Sequence, residues 1–175
     1  GPWERVAATL AGAFPFTAVA REAYDPRLTR LVERVRRARG VRAIYRGAPG
    51  AAAAMLRTLR RGELLGIPMD LVSRVPTVDV PFLGHPGPTP VGPARLALRT
   101  GAAVLVGTAC PGSAGLVVGV CRIPTADLAQ VHGRAARSEA ERALTERINE
   151  ELSARIRALP ERWVWMHPRW PRHTL

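Results

Sequence analysis

The chain has 175 residues, 47% hydrophobic and 23% charged, a composition that suits one domain with a sizeable core and excludes a disordered or disulfide-stapled chain. All 26 basic residues are arginine; against 14 acidic residues they leave a net charge of +12. That balance points to an acidic partner: nucleic acid, an anionic membrane or an acidic carrier protein.

Ala, Gly, Pro and Arg dominate throughout, so net charge carries more weight than the choice of arginine over lysine. There is no signal peptide and no apolar run long enough to span a bilayer. The chain does not start with methionine, which sets the expectation of a fragment or processed chain whose upstream part, any anchor included, is out of view.

Gly1-Pro2-Trp3-Glu4 leads into an apolar pattern at Val6 and Leu10, predicting a loop that feeds straight into a helix. Pro2 suits the first turn, where a missing N–H costs nothing, and Glu4 suits the same turn for its charge. Phe14–Ala20 reads as a loop running into a short strand. Asp25-Pro26 opens a helix, Asp25 capping and Pro26 in the first position, and Gly40 closes it. Leu28, Leu31, Val32 and Val35 recur at helical spacing as its apolar stripe. Arg36 flanks that stripe, and an arginine on a buried edge needs an anionic partner.

Val41–Tyr45 predicts a strand, Gly47–Gly50 a turn and Ala51–Arg61 a helix closed by Gly62. Leu64–Met69 is an apolar run ending in Asp70, which either caps a loop or marks a site at the carboxyl end of a strand. Val80–Pro90 is too proline-rich for regular structure and too apolar for a solvated linker, so an ordered loop lining a site is expected. A short helix over Pro93–Arg99 follows, then two buried strands, Gly101–Gly107 and Leu116–Ile123, about a Pro111-Gly112-Ser113 turn. Such a hairpin holds Cys110 and Cys121 at different heights, which favours free thiols over a disulfide.

Ser138-Glu139-Ala140-Glu141 has the form of a capping box opening the longest helix, which Pro160 ends. The tail packs Trp163, Trp165 and Trp170 around His167 and Arg169, with Arg169 open either to phosphate binding or to stacking on Trp170. His167 reads as a packed, hydrogen-bonded residue rather than a base. Strands interleaved with helices give an α/β class, a mixed sheet flanked by helices. No phosphate-cradling loop, nucleophile elbow or metal-ligand spacing occurs in the sequence.

Gly1–Glu4, Asp25-Pro26-Arg27-Leu28, Val80–Gly84 with Thr89 and Gly92, Thr145–Asn149 and Pro160–Trp170 together resemble one family across essentially the whole chain. They are similar to the late acyltransferases of lipid A biosynthesis, the lauroyl/myristoyl transferases of the lysophospholipid acyltransferase superfamily. Gly1–Glu4 looks like the end of that family's His-x-Gly-Asn-Trp-Glu motif, so its catalytic histidine would sit two positions before Gly1. Departures are Pro2 for the usual Asn, Leu71 after Asp70 where Gln is common, and Pro168 for an Arg.

The resemblance implies a single acyltransferase domain over residues 1–175, glycerolipid-acyltransferase-like and incomplete at its N-terminus. It implies transfer of a fatty acyl group from acyl carrier protein to a hydroxyl of a lipid A precursor, with the upstream histidine as general base and Glu4 as its catalytic partner. Without that histidine the chain alone is expected to be inactive. Arg36, Arg46, Asp70 and Arg169 are its implied substrate-binding residues. No metal and no cofactor are called for. Acyl carrier protein, an anionic glycolipid acceptor and a membrane surface, at the cytoplasmic face of the inner membrane, are its implied partners, and nucleic acid is not. A phosphatidylinositol mannoside acceptor and, from another class, an Arg-rich nucleic-acid-binding domain are the competing readings.

Overall fold

The computed structural model describes residues 3–71, 74–113 and 115–170; Gly1 and Pro2, at the head of the first motif, lie outside them, as does the segment 171–175 with His173. Contacts divide the chain into two compact units, Pro2–Pro68 and Met69–Leu175.

The first unit is built on a parallel sheet of three strands. Its elements are α1 (Trp3–Ala13), β1 (Phe16–Ala20), α2 (Pro26–Ala38), β2 (Arg42–Tyr45), α3 (Ala51–Arg60) and β3 (Leu64–Gly66). The strand order is β2-β1-β3, with Thr17 opposite Arg42 and Phe16 opposite Leu64. All five residues of β1 are buried, as a central strand covered on both faces must be. Ala7 of α1 meets Phe16, Ala18 and Val41 in the core. Gly66 is required by packing: a Cβ there would lie 2.5 Å from the Phe16 ring.

Asp25 caps α2 as its sequence predicts, its Oδ1 accepting the Arg27 N–H at 2.7 Å. The expected burial of its stripe is corrected. Leu28, Leu31 and Val35 are 49%, 51% and 46% exposed, while Arg36 is 7% exposed. The helix turns Thr29, Val32, Glu33 and Arg36 inward instead. The physical reason is that Arg36 meets a carboxylate on α1 (below), so the charged edge gains a partner by going inside.

The second unit comprises β4 (Thr77–Phe82), β5 (His85–Pro90), α4 (Gly92–Thr100), β6 (Val104–Gly112), β7 (Gly115–Ile123) and α5 (Arg134–Ala158). Val80–Pro90, expected as a loop, is instead part of an antiparallel hairpin. Leu83 and Gly84, both at positive φ (55° and 95°), form its tight turn. Pro86, Pro88 and Pro90 occupy alternate positions of β5, opposite Pro81, Asp79 and Thr77. Every residue of one parity points its N–H away from the partner strand, so these prolines delete no ladder bond.

The β6–β7 hairpin forms, with Cys110 opposite Val117 and Cys121 opposite Val106, and both thiols are free. Its strands are not buried as expected: Leu105, Val117 and Val120 are more than half exposed. The capping box is also corrected. Helix α5 starts at Arg134, and Ser138 lies inside it, so its hydroxyl has no helix end to cap.

Helix α5 ties the β4–β5 hairpin down by side chains. Asn149 donates to the Pro81 carbonyl at 3.1 Å and to the Thr89 hydroxyl at 2.9 Å, and the Ser153 hydroxyl accepts the Leu83 N–H at 2.9 Å. Parallel and antiparallel pairings both occur among helices, in keeping with the α/β class, but the described strands are divided over three small sheets.

Candidate active site

Two side chains far apart in sequence meet in the first unit. Glu4 lies in the first turn of α1 and Arg36 in the last turn of α2. The Arg36 guanidinium grips the Glu4 carboxylate with a fork: Nη2 donates to Oε1 at 2.6 Å and Nε to Oε2 at 3.2 Å. The Arg36 side chain is 8% exposed and that of Glu4 is 44% exposed. Trp3 covers the guanidinium, its ring centroid 4.9 Å from Cζ.

Burial by itself would lower the Arg36 pKa. The hydrogen bonds and charge of Glu4 outweigh it, with Tyr45 adding, and hold the group above its ordinary value. Tyr45 in turn is pushed up, first by burial and then by Glu33, against the opposing pull of Arg36. Arg36 is therefore a fixed cation. One edge of the Glu4 carboxylate is engaged, and a carboxylate with about four acceptor positions keeps room for a further donor on its open side.

These residues line a cleft of ≈ 250 Å³ together with Arg21, Leu28 and Thr29. Arg21 follows the end of β1 and Tyr45 ends β2, so the cleft lies at the carboxyl ends of two parallel strands. Open α/β sheets place ligand sites there because loops diverge and backbone groups are free. Its floor is charged and its rim, at Trp3 and Leu28, is apolar.

The remaining residues singled out from the sequence are distributed as follows. Arg46 stands exposed immediately after β2, its N–H on the Ala20 carbonyl at 2.9 Å. Asp70 belongs to the second unit, where its Oδ2 accepts the Trp163 indole N–H at 3.1 Å. Arg169 is also in that unit and 1% exposed. Its Nη1 donates to the Pro88 carbonyl at 2.8 Å and its Nη2 to the Thr89 hydroxyl at 2.7 Å. It stacks on Phe82, 4.4 Å from the ring centroid, and not on Trp170 as one sequence reading had it. Burial lowers its pKa, and the charge of Asp70 opposes this.

His167 is exposed, so the expected packing around it is corrected. The tryptophans gather on Phe82 instead, Trp163 at 5.5 Å and Trp170 at 6.0 Å, and the histidine that meets them is His85, edge-on to Trp170.

The sequence showed that Arg36 needed an anion, but not that Glu4 is that anion. Tyr45 and Trp3 were missed as members of the cleft. The one signal for Tyr45 was a phenol at the end of a strand inside an expected α/β pattern.

Residues 1–172 match the family described as bacterial lipid A biosynthesis acyltransferase. No curated protein matches the chain significantly.

Proposed function

The chain belongs to the bacterial lipid A biosynthesis acyltransferase family, and we propose that it carries the Glu4 half of a histidine–glutamate acyl-transfer centre. The donor is a fatty acyl thioester on acyl carrier protein, and the acceptor is a hydroxyl of an anionic lipid A precursor at the cytoplasmic face of the inner membrane. The base is a histidine two positions N-terminal to Gly1 in the full-length protein. It takes the acceptor hydroxyl's proton as the oxygen attacks the thioester carbonyl, and thiolate leaves when the tetrahedral intermediate collapses.

The observation that carries this reading is the Glu4–Arg36 fork lining a strand-end cleft. A carboxylate gripped by a guanidinium on one edge is held in one orientation. Its free edge accepts the imidazole N–H, fixes the tautomer and stabilises the imidazolium formed on proton uptake. Arg36 thus works as a positioning residue rather than as a phosphate ligand. Arg21 and Arg46, exposed at the same ends of the strands, are placed to attract acceptor phosphates. The acidic carrier protein suits a chain of net charge +12.

In the full-length enzyme, Glu4→Ala should lower the turnover number about 10²-fold or more. The chain Gly1–Leu175 by itself should show no transfer. Near-wild-type turnover of Glu4→Ala would overturn the role of Glu4.

A further inference from the structure

We propose that α2 is an in-plane membrane-docking helix, its exposed stripe of Leu28, Leu31 and Val35 entering the interface of an anionic bilayer. The inference rests on the lipid-directed reading above and deepens it by naming the element that meets the lipid.

The helix is inside-out by the standards of a soluble domain. Its inward face carries Thr29, Glu33 and Arg36 beside Val32, and its three other branched apolar residues are about half exposed. A soluble helix does the reverse, because burying those residues is the main source of its docking energy.

The charges are sorted as well. Arg27, Arg30, Arg34 and Arg37 are all exposed, and at 3.6 residues per turn they form a row along one flank of the stripe. Among the described residues none of these four guanidiniums is paired with a carboxylate. The helix's one acidic residue, Glu33, is on the inward side against Tyr45. An apolar stripe flanked by such arginines fits a surface that is hydrocarbon below and phosphate above, with the guanidiniums reaching up to the phosphates. Tyr24, 92% exposed just before the helix and under Arg21 at 4.7 Å, adds an amphipathic ring of the kind found at headgroup level.

No helix among the described residues is long and apolar enough to cross a membrane, so contact through α2 is contact along the surface. The consequence is local. Leu28 belongs both to the stripe and to the rim of the Glu4 cleft, so docking would open that cleft at the depth of lipid headgroups.

The test is flotation of the chain Gly1–Leu175 with phosphatidylcholine vesicles, with and without phosphatidylglycerol. Wild type should float with the anionic vesicles and lose binding as salt rises. Leu31→Asp/Val35→Asp, at two exposed positions that do not line the cleft, should cut partitioning about tenfold or more while circular dichroism is unchanged. Arg30→Glu/Arg34→Glu should remove the preference for phosphatidylglycerol. Unchanged partitioning of the Asp variant would overturn the proposal. So would a wild-type chain that ignores vesicles but self-associates in sedimentation through Leu31 and Val35, since a second copy would then cover the stripe. Transfer by the full-length enzyme onto acceptor dispersed in detergent is measured separately. A wild-type chain that does not float, beside a full-length enzyme with intact transfer, sinks the docking face alone; a wild-type chain that floats, beside a full-length enzyme without transfer, sinks the acyltransfer reading alone.

Discussion

Two buried arginines, one in each compact unit, make opposite bargains with their surroundings. Arg36 at 7% exposure sits against a full carboxylate, Glu4, in the lining of a cleft. Among the described residues Arg169, at 1% exposure, has neutral acceptors only, the Pro88 carbonyl and the Thr89 hydroxyl, while its Nε has no partner and Asp70 is felt as charge rather than contact. The difference teaches which question each residue answers. On the proposed reading, a guanidinium paired with a half-exposed carboxylate orders that carboxylate for something outside. One sealed among carbonyls, hydroxyls and an aromatic face fastens a strand to a tail. The Thr89 hydroxyl illustrates the second case: it accepts from both Asn149 and Arg169 and donates to the Gly87 carbonyl, so helix α5, the hairpin and the tail converge on one oxygen.

The sharpest way to break this contrast is Arg169→Ala. It removes two charge-assisted hydrogen bonds and the Phe82 stack and leaves a void, so stability should fall by about 3 kcal/mol, read from the urea midpoint. A change under about 0.5 kcal/mol, within the range of ordinary surface substitutions, would mean the tail is not fastened there.

Arg36→Met should act on the other quantity. In the full-length enzyme turnover should drop about tenfold, the scale on which a supporting partner matters to the group it orients. Stability should change by no more than about 1–2 kcal/mol, because Glu4 is exposed enough to rehydrate. A stability loss with normal turnover would make Arg36 a second Arg169.

The smallest effect is in alkali. The Tyr45 phenol is raised above 10.0 in the folded chain, so the folded state holds its proton longer than the unfolded one. That contribution is fully present below the unfolded value and is lost as pH rises through the folded one. Tyr45→Phe should therefore flatten the fall in stability above pH ~10, and an unchanged slope would mean that burial and Glu33 do not hold the phenol protonated.

How much of this was legible in the sequence varies with the range of the forces involved. Local signals held: the Asp25 cap, the glycine stops at Gly40 and Gly62, and helix α4 each depend on residues within one turn. Periodicity placed α2 but mistook its inner face, because spacing gives the angle between stripe and arginines and not which of them has a partner. Proline count misjudged Val80–Pro90, since composition ignores parity. At the site, Glu4 and Arg36 were both marked, yet their pairing spans 32 residues and depends on how α1 packs on β1 and α2 on β2. Arg169 was marked for its chemistry, and only its burial among Phe82, Pro88 and Thr89 revealed what it touches.

The prolines of β5 have one more consequence. Along the outer edge of that strand, every backbone position that would offer an N–H to a newcomer, residues 86, 88 and 90, is proline. The edge presents carbonyls without donors, and Arg169 has already taken the middle one. No strand from another chain can zip onto it in register. A two-stranded ribbon, normally a seed for aggregation, is in this way rendered sterile along that edge from within its own sequence.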